Sequence, residues 1–115
     1  MDATQSATEG EADIAECVLV AAELVPRGQV VTYGDIAGLV GTSARRAGRI
    51  MATRGWETCW WRVVNASGRL PAELLPRARE LWFKESITLS ADGKGCRLAA
   101  HRADPVAWAA AYDAA

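Results

Sequence analysis

The sequence has few residues that could build a metal site and no segment that could cross a membrane. It contains one histidine and three widely spaced cysteines, with no Cys-x-x-Cys pair, which argues against zinc binding. An odd number of cysteines also argues against a disulfide framework, so we expect reduced thiols, a cytoplasmic location and no cofactor. The longest apolar stretch, residues 17–25, is far too short for a membrane span. The acidic first residues lack the basic start of a signal peptide.

The length of the chain suits one domain. Its 115 residues can enclose a single hydrophobic core. A hydrophobic fraction of 50% with 23% charged residues is typical of a globular protein. We expect residues 1–10 to form a disordered acidic tail and residues 11–115 to form the folded domain.

Arginine is concentrated in one segment, although the formal net charge of the chain is −1. Residues 1–20 carry five acidic side chains and no Lys or Arg, so the remainder of the chain is net positive. Between residues 43 and 62 there are five arginines, no lysine and one acidic residue, Glu57. A solvated helix face is the commoner explanation of a charge cluster. However, the planar guanidinium suits phosphates and base edges, so this segment favours nucleic-acid binding.

The first half of the sequence predicts three helices, of which the second and third form a helix-turn-helix. The first covers residues 11–25, where apolar side chains share one helical face. The other two are bounded by capping residues: Thr32 before and Gly41 after residues 33–40, and Thr42 or Ser43 before the Arg-rich segment that runs toward Gly55. Two short helices joined by a tight glycine-containing turn are typical of a DNA-binding unit, but also of ordinary helical hairpins.

The second half of the sequence predicts mixed structure. A strand over residues 59–64 precedes a helix over residues 76–84, and two short strands, 87–89 and 96–98, flank a turn. Pro105 can start a last helix that reaches Tyr112. The two strands form a hairpin that would stand as a wing beside the helix-turn-helix. The sequence therefore predicts a small single domain of the α+β class with a winged helix-turn-helix core.

Two segments carry a family resemblance. LVPRGQVVTYGDIAGLVGTSARRAGRIM, residues 24–51, followed by WWRVVNASGRL, residues 60–70, resembles the C-terminal DNA-binding domain of the O6-alkylguanine-DNA alkyltransferases. In that family, similar segments lead into Pro-Cys-His-Arg-Val, whose cysteine accepts the alkyl group. The resemblance implies an alkyltransferase C-terminal-domain-like fold and double-stranded DNA containing O6-alkylguanine as the partner.

The match departs from the enzyme at the alkyl acceptor. When Arg62 and Val63 are set on the family's Arg-Val, Trp60 stands at the acceptor cysteine, Trp61 at the histidine and Cys59 at the proline. A tryptophan at the acceptor position marks the alkyltransferase-like proteins, which bind O6-alkylguanine without transferring the alkyl group. The resemblance therefore implies a non-enzymatic protein that flips the damaged base and passes the lesion to nucleotide-excision repair proteins. We expect it to be a monomer.

The resemblance also assigns roles to single residues. Trp60, Tyr33 and Arg69 are expected to line the lesion pocket, where Trp60 offers a flat face for stacking and Tyr33 helps to rotate the nucleotide. Arg45 is expected to enter the base stack in place of the flipped base. The expected DNA contacts are Thr32, Tyr33, Ser43, Arg45, Arg46, Gly48, Arg49 and Arg54. The family's other lesion-contacting arginine falls at Glu73 or a neighbouring residue, which leaves the range of accepted lesions open.

Two other functions stay open on the residues themselves. Cys59 could be the nucleophile of an active alkyltransferase, or the helix-turn-helix could belong to a DNA-binding regulator unrelated to damage. A nucleophilic cysteine needs a depressed pKa, commonly from a neighbouring base. The only histidine of the sequence, His101, is distant in the chain, so Cys59 is not the expected acceptor.

The predicted strand over residues 59–64 determines which way its side chains are expected to point. Side chains alternate between the two faces of a strand, so Cys59 and Trp61 are expected to point away from Trp60. Trp61 is therefore expected in the core. Trp56 and Trp82 are expected to be packing residues.

Overall fold

The computed structural model describes the backbone of residues 3–115 and the side chains of residues 13–115. The helices of this part of the chain are α1 Ala3–Glu23, α2 Tyr33–Val40, α3 Ala44–Arg54, α4 Leu75–Lys84, α5 Leu98–His101 and α6 Pro105–Ala114. The strands are β1 Val31–Thr32 and β2 Val63–Val64, and 3-10 turns cover Gly55–Glu57, Trp60–Arg62 and Ala72–Leu74. No helix over these residues is both long and apolar enough to cross a membrane.

Local capping builds the helix-turn-helix, as the sequence predicts. Thr32 begins α2 with a capping box, in which its hydroxyl accepts from the Asp35 amide and the Asp35 carboxylate accepts from the Thr32 amide, both at 3.0 Å. Gly41 ends α2 at φ 91°, a left-handed conformation that favours glycine. The Ser43 hydroxyl caps α3 by accepting from the Arg46 amide at 3.1 Å. These caps determine where the Arg-rich helix α3 begins.

Two strands of two residues each join the halves of the chain. β1 pairs with β2 in parallel, with Val31 opposite Val63 and the following residues in register. All four residues are buried, so the pair belongs to the core. α2 follows β1 directly, and the 60–62 turn (Trp60–Arg62) directly precedes β2. The pairing therefore draws the start of α2 toward that turn.

The core consists of two clusters that meet at Trp60. The first lies between α1, α2, α3 and α6 and includes the buried Val18, Ile36 and Trp108. The second lies beneath α4 and includes Trp82, which is fully buried and donates its indole N–H to the carbonyl of residue 61 at 2.7 Å. Trp60 is partly buried and packs against both clusters. The prediction that Trp82 is a packing residue is confirmed.

The first helix differs from its prediction at both ends. α1 runs from Ala3 to Glu23, so the backbone is already helical over most of the segment for which the sequence predicts a disordered tail, residues 1–10. Residues 3–10 contain no proline that would stop a helix continuing from the packed part of α1. The sequence also predicts that the acidic side chains of this tail are solvated. That prediction lies outside the described residues, since no side chain before Asp13 is described.

The predicted strand over residues 59–64 is mostly a turn. Only Val63–Val64 is a strand, and Trp60–Arg62 winds into a 3-10 turn. Because the partner strand β1 is only two residues long, residues 59–62 have no strand to pair with, and the Arg62 amide donates to the Cys59 carbonyl at 3.0 Å instead. The prediction that side chains 59–62 alternate between the two faces of a strand is therefore wrong. The position of each side chain is determined by its contacts in the turn.

The predicted wing is reduced to a single bridge. Leu89 and Cys96 form one antiparallel bridge, and Leu98 begins α5 instead of ending a strand. Two backbone hydrogen bonds flank this bridge, from the Arg97 amide to the Thr88 carbonyl at 2.9 Å and from the Ser90 amide to the Gly95 carbonyl at 2.8 Å. The Cys96 amide faces the other side and donates to the carbonyl of Gly68 at 2.9 Å. The domain is nevertheless α+β, with helices dominating.

Candidate nucleic-acid interface

A small cavity opens beside α3, and we call it the α3 pocket. It has a volume of about 120 Å³ and lies between α3, the 60–62 turn and the segment that leads into α4. Its lining residues are Tyr33, Gly48, Met51, Ala52, Trp60, Val63, Leu70, Pro71 and Leu74. Two residues that the sequence predicts for a lesion pocket, Tyr33 and Trp60, therefore line the same cavity.

Trp60 reaches the α3 pocket from the 60–62 turn. Its indole meets that of Trp61 edge to face, with ring centroids 5.8 Å apart and planes at 89°, a geometry that aromatic pairs favour. Trp60 lines the pocket, whereas Trp61 packs against the cluster beneath α4. The two indoles therefore contact different parts of the protein because residues 60–62 form a turn, not because side chains alternate along a strand. Both are partly buried, so Trp61, which the sequence predicts in the core, packs at the edge of the second core cluster.

A buried ion pair holds the 60–62 turn in place. Arg62 donates to the Glu85 carboxylate through Nε at 2.9 Å and Nη2 at 2.8 Å, and the two side chains are only 12% and 4% exposed. The Trp61 indole N–H donates to the same carboxylate at 2.7 Å, and the Gly28 amide N–H also donates to it, at 2.9 Å. Arg62 also donates to the Val25 carbonyl at 2.9 Å. We call these three residues, Glu85, Arg62 and Trp61, the Glu85 cluster. The cluster holds the turn against the end of α4 and the loop after α1.

Glu85 is ionised in this cluster despite its burial. Burial alone would raise the pKa of the carboxyl, but hydrogen bonds from Arg62, Gly28 and Trp61 outweigh it and hold the pKa of Glu85 below its ordinary value. The Arg62 guanidinium also lies over the Trp61 ring, 5.3 Å from its centroid. Sequence reasoning misses Glu85, because no local pattern links it to partners that are distant in the chain.

Tyr33 packs on α3 next to Gly48. A Cβ added to Gly48 would lie 3.9 Å from the Tyr33 ring, an ordinary van der Waals distance, so packing within the protein does not require glycine here. Gly48 instead borders the α3 pocket, where a side chain would occupy space. Burial raises the pKa of Tyr33, so its hydroxyl stays neutral and able to donate a hydrogen bond.

The arginines of α3 differ in what they contact. Arg45 and Arg49 are exposed, and their spacing of four residues places them on one helical face. Arg54, by contrast, forms ion pairs with Glu16 at 2.9 Å and Glu57 at 3.0 Å, which join the end of α3 to α1. Arg45 and Arg49 are therefore well placed to meet an anionic partner, whereas the charge of Arg54 is offset by two carboxylates.

Three more of the predicted DNA contacts surround the helix starts. Thr32 is 6% exposed, and its hydroxyl is already engaged in the cap of α2. Ser43 is exposed and caps α3, and Arg46 is half-buried one turn along. The caps thus leave the outward faces of α3, rather than the Thr32 side chain, to meet a partner.

Arg69 does not reach the α3 pocket. Its guanidinium donates to the Asp92 carboxylate at 2.6 Å, and its amide donates to the Asn65 side-chain oxygen at 2.9 Å. Its neighbour Leu70 lines the pocket instead. Arg69 is absent from the lining of the α3 pocket because Asp92 holds its guanidinium at the hairpin turn, and its contact with a lesion stays a prediction. Glu73 is exposed in the Ala72–Leu74 turn and precedes Leu74, which lines the pocket.

The Cys59 thiol is poorly suited to act as a nucleophile. Burial raises its pKa, and Glu23, 3.7 Å from the sulfur, adds to that rise against the lowering by Arg62. The thiol therefore stays protonated at neutral pH, whereas the thiolate is the reactive form. The one histidine, His101, accepts from the Thr88 amide at 3.0 Å and not from Cys59.

Trp56 lies on the surface and not in the core. It is 76% exposed in the 3-10 turn after α3, so the prediction that it is a packing residue is wrong. The buried residue of that turn is Gly55, which packs closely on Met51 and leaves Trp56 directed outward.

Comparison with known proteins identifies related sequences. A family model described as 6-O-methylguanine DNA methyltransferase, DNA binding domain, matches residues 13–87. Proteins named DNA base-flipping protein, from Escherichia coli (strain K12) and Shigella flexneri, are each 37% identical over 76 residues, covering 61% of this chain and 59% of the relative. A protein of the same name from Vibrio parahaemolyticus is 34% identical over 76 residues, covering 61% of this chain and 76% of the relative. The match thus spans less than two thirds of the first two relatives.

One solved structure shares the fold over most of its length. It is the crystal structure of S. pombe Atl1 in complex with damaged DNA containing O6-carboxymethylguanine. Its TM-score is 0.70 at 27% sequence identity, and the match covers 82% of this chain and 97% of that chain. The predicted alkyltransferase-like α+β fold is confirmed.

Proposed function

The chain belongs to the family of the 6-O-methylguanine DNA methyltransferase DNA-binding domain, and on that basis we propose that it recognises O6-alkylguanine in duplex DNA without transferring the alkyl group. It binds DNA through the helix-turn-helix, flips the modified base out of the duplex and holds it in the α3 pocket. The observation that carries this proposal is the position of the pocket. A cavity walled by Tyr33 and Trp60 opens directly beside the helix that presents Arg45 and Arg49.

Flipping a base costs a few kcal/mol of lost stacking and pairing, and three residues offset that cost in the proposed complex. Arg45, exposed in the first turn of α3, enters the stack where the base has left. Tyr33 crowds the rotated nucleotide from the start of α2. Trp60 provides an aromatic face for the flipped base, and such stacking contributes on the order of 1–3 kcal/mol.

Two residues, Trp60 and Cys59, make alkyl transfer chemically unfavourable. The family resemblance of the sequence predicts that Trp60 stands in place of the acceptor cysteine, and an indole carbon or N–H is not a nucleophile of that kind. Cys59 lies outside the pocket wall, and burial raises its pKa. Recognition is therefore the function that this site can perform.

A recognition protein that cannot repair the base leaves the lesion in the DNA. We place the protein in the cytoplasm, associated with the nucleoid as a monomer, where the protein–lesion complex is handed to nucleotide-excision repair proteins. Those proteins supply the incision and resynthesis of the damaged strand, which recognition alone does not provide.

The test compares two duplexes that differ only in an O6-methyl group on one guanine. Fluorescence anisotropy is expected to show tighter binding to the methylated duplex. Trp60→Ala should remove most of the difference, whereas Trp56→Ala, which removes an exposed indole outside the pocket wall, should preserve it. Equal affinity of the unaltered protein for both duplexes would refute the proposal and favour a regulator unrelated to damage. A gain of one methyl mass on the intact protein would refute its non-enzymatic part.

A further inference from the structure

The carboxylate of Asp35 has a second partner besides the cap of α2. Its Oδ2 accepts from the Thr32 amide at 3.0 Å, as part of the capping box, and also from Nε of Arg102 at 3.1 Å. Its Oδ1 accepts from Nη2 of the same guanidinium. Two parallel bonds between a guanidinium and a carboxylate determine orientation as well as distance. The start of α2 is therefore fixed to a residue that lies 67 positions later in the chain.

Arg102 is itself held in place by the backbone on both of its sides. The Val30 amide donates to the His101 carbonyl, and the Ala103 amide donates to the Val30 carbonyl, both at 2.9 Å. The neighbours of Arg102 are thus bonded to one residue, which directly precedes β1. Ala103 is also buried, at 6% exposure. Arg102 therefore reaches α2 from a segment that is anchored to the core.

A cavity of about 410 Å³ lies between α2 and α6. Asp35 and Leu39 line it from α2, and Trp108 and Ala109 line it from α6. Arg102 lines it as well, so its ion pair with Asp35 joins α2 to the C-terminal segment at a place where the side chains leave a gap. Because dispersion contacts are lost across a gap, the ion pair supports this side of α2 where packing does not.

We propose that Arg102 is a positioning residue for lesion recognition, which holds Asp35 and thereby keeps Tyr33 in the place from which the damaged nucleotide is rotated. Tyr33 is the first residue of α2 and lines the α3 pocket. It directly follows Thr32, whose amide shares one carboxylate oxygen with Arg102. The inference rests on the proposed function, and it adds a residue outside the segment 13–87 that the family model matches.

The effect on recognition is expected to exceed the effect on stability. The Arg102 and Asp35 side chains are 52% and 23% exposed, and ion pairs near the surface contribute little to stability. We therefore expect Arg102→Ala to lower the Tm by no more than about 5 °C. The preference for the O6-methylguanine duplex, measured by anisotropy as the ratio of the Kd values of the unmodified and methylated duplexes, should nevertheless fall at least about threefold.

Two further variants separate geometry from charge. Arg102→Lys keeps the positive charge, but an ammonium cannot form the two parallel bonds of a guanidinium. It should bind the unmodified duplex as the unaltered protein does and show an intermediate lesion preference. The matched control is Arg77→Ala, which removes the same charge from an exposed ion pair with Glu80 on α4. This control should retain the full lesion preference.

Asp35→Asn tests whether Arg102 acts through Asp35. The amide side chain keeps one oxygen for the Thr32 amide but cannot accept both bonds from the guanidinium. We expect Asp35→Asn, Arg102→Ala and the double variant to show the same lesion preference, because each single change already breaks the link. A further loss in the double variant would show that Arg102 acts on DNA directly and would overturn the inference.

The outcomes also separate this inference from the proposed function. If the unaltered protein binds the two duplexes equally, the proposed function fails, and the inference fails with it. If the unaltered protein prefers the methylated duplex and Arg102→Ala keeps that preference, the function stands and the positioning role is overturned. An equal loss of affinity for both duplexes in Arg102→Ala would also overturn it, since Arg102 would then be an ordinary phosphate contact.

Discussion

Replacing Glu85 by glutamine is expected to destabilise the protein by about 3 kcal/mol. The carboxylate accepts four hydrogen bonds, from Arg62, Trp61 and Gly28. Glutamine keeps the shape of the side chain but turns one acceptor oxygen into a donor and leaves the Arg62 charge without its partner. Removing one member of a buried ion pair costs about 3–5 kcal/mol. Because Arg62 keeps 12% exposure and glutamine keeps one oxygen, we expect the lower end of that range.

Urea unfolding followed by circular dichroism and by tryptophan fluorescence measures this loss, and coincident curves justify a two-state treatment. The matched control is Glu80→Gln on the same helix. Its ion pair with Arg77 is exposed, at 64% and 60%, so the control should change the free energy of unfolding by less than about 1 kcal/mol. Equal losses in the two variants would refute the reasoning, since the Glu85 cluster would then contribute no more than a surface pair.

The same carboxyl group predicts the pH dependence of stability. The pKa of Glu85 is lower in the folded protein than its ordinary value, so the unfolded chain binds its proton first as the pH falls. The stabilisation is therefore complete above the ordinary glutamate pKa and is lost as the pH falls through the lowered pKa of the folded state. The stability difference between the unaltered protein and Glu85→Gln should shrink over that window, and a constant difference would contradict the assignment.

Three further predictions concern the proposed interface. Trp60→Ala should weaken binding to the O6-methylguanine duplex by about 1–3 kcal/mol and leave binding to the unmodified duplex nearly unchanged in anisotropy titrations; a uniform loss would mean that Trp60 only supports the fold. Arg45→Ala should reduce lesion preference, whereas Arg49→Ala should lower the salt slope of binding by roughly one phosphate contact; identical effects would make Arg45 an ordinary backbone contact. Mass spectrometry after incubation with the lesion should find no alkyl adduct on Cys59. Trp60→Cys should gain none either, since the sequence has no histidine next to position 60 to take the proton from a thiol. An adduct in either protein would overturn the non-enzymatic assignment.

The features that sequence predicts well are those with a local cause. The capping box of Thr32 and Asp35, the left-handed Gly41 and the Ser43 cap each act within one or two turns of chain, so residue type and spacing are sufficient. The helix-turn-helix follows from them. The place of Trp60 at the site comes from the family resemblance and not from periodicity.

The features that sequence misses depend on partners that are distant in the chain. Glu85 gains its role from Arg62, and the position of the Arg69 guanidinium is determined by Asp92, each pair being 23 residues apart. The 60–62 turn forms because β1 is too short to pair with it, a fact that the sequence of the turn does not contain. Trp56 is exposed because its glycine neighbour takes the buried position.

The parallel pairing of β1 with β2 also has a consequence for the order of folding. The helix-turn-helix consists of neighbours in sequence, whereas the pair of Val31 and Val63 closes a long loop and is slow to form for entropic reasons. The α3 pocket has walls on both sides of this pair, since Tyr33 follows β1 and Trp60 precedes β2. We therefore expect the Arg-bearing helix to exist before the pocket does. A chain in which the helix-turn-helix has formed but the β1–β2 pair has not would still be attracted to DNA, but it could not tell a damaged base from an intact one. The same is expected of a variant in which β1 and β2 separate.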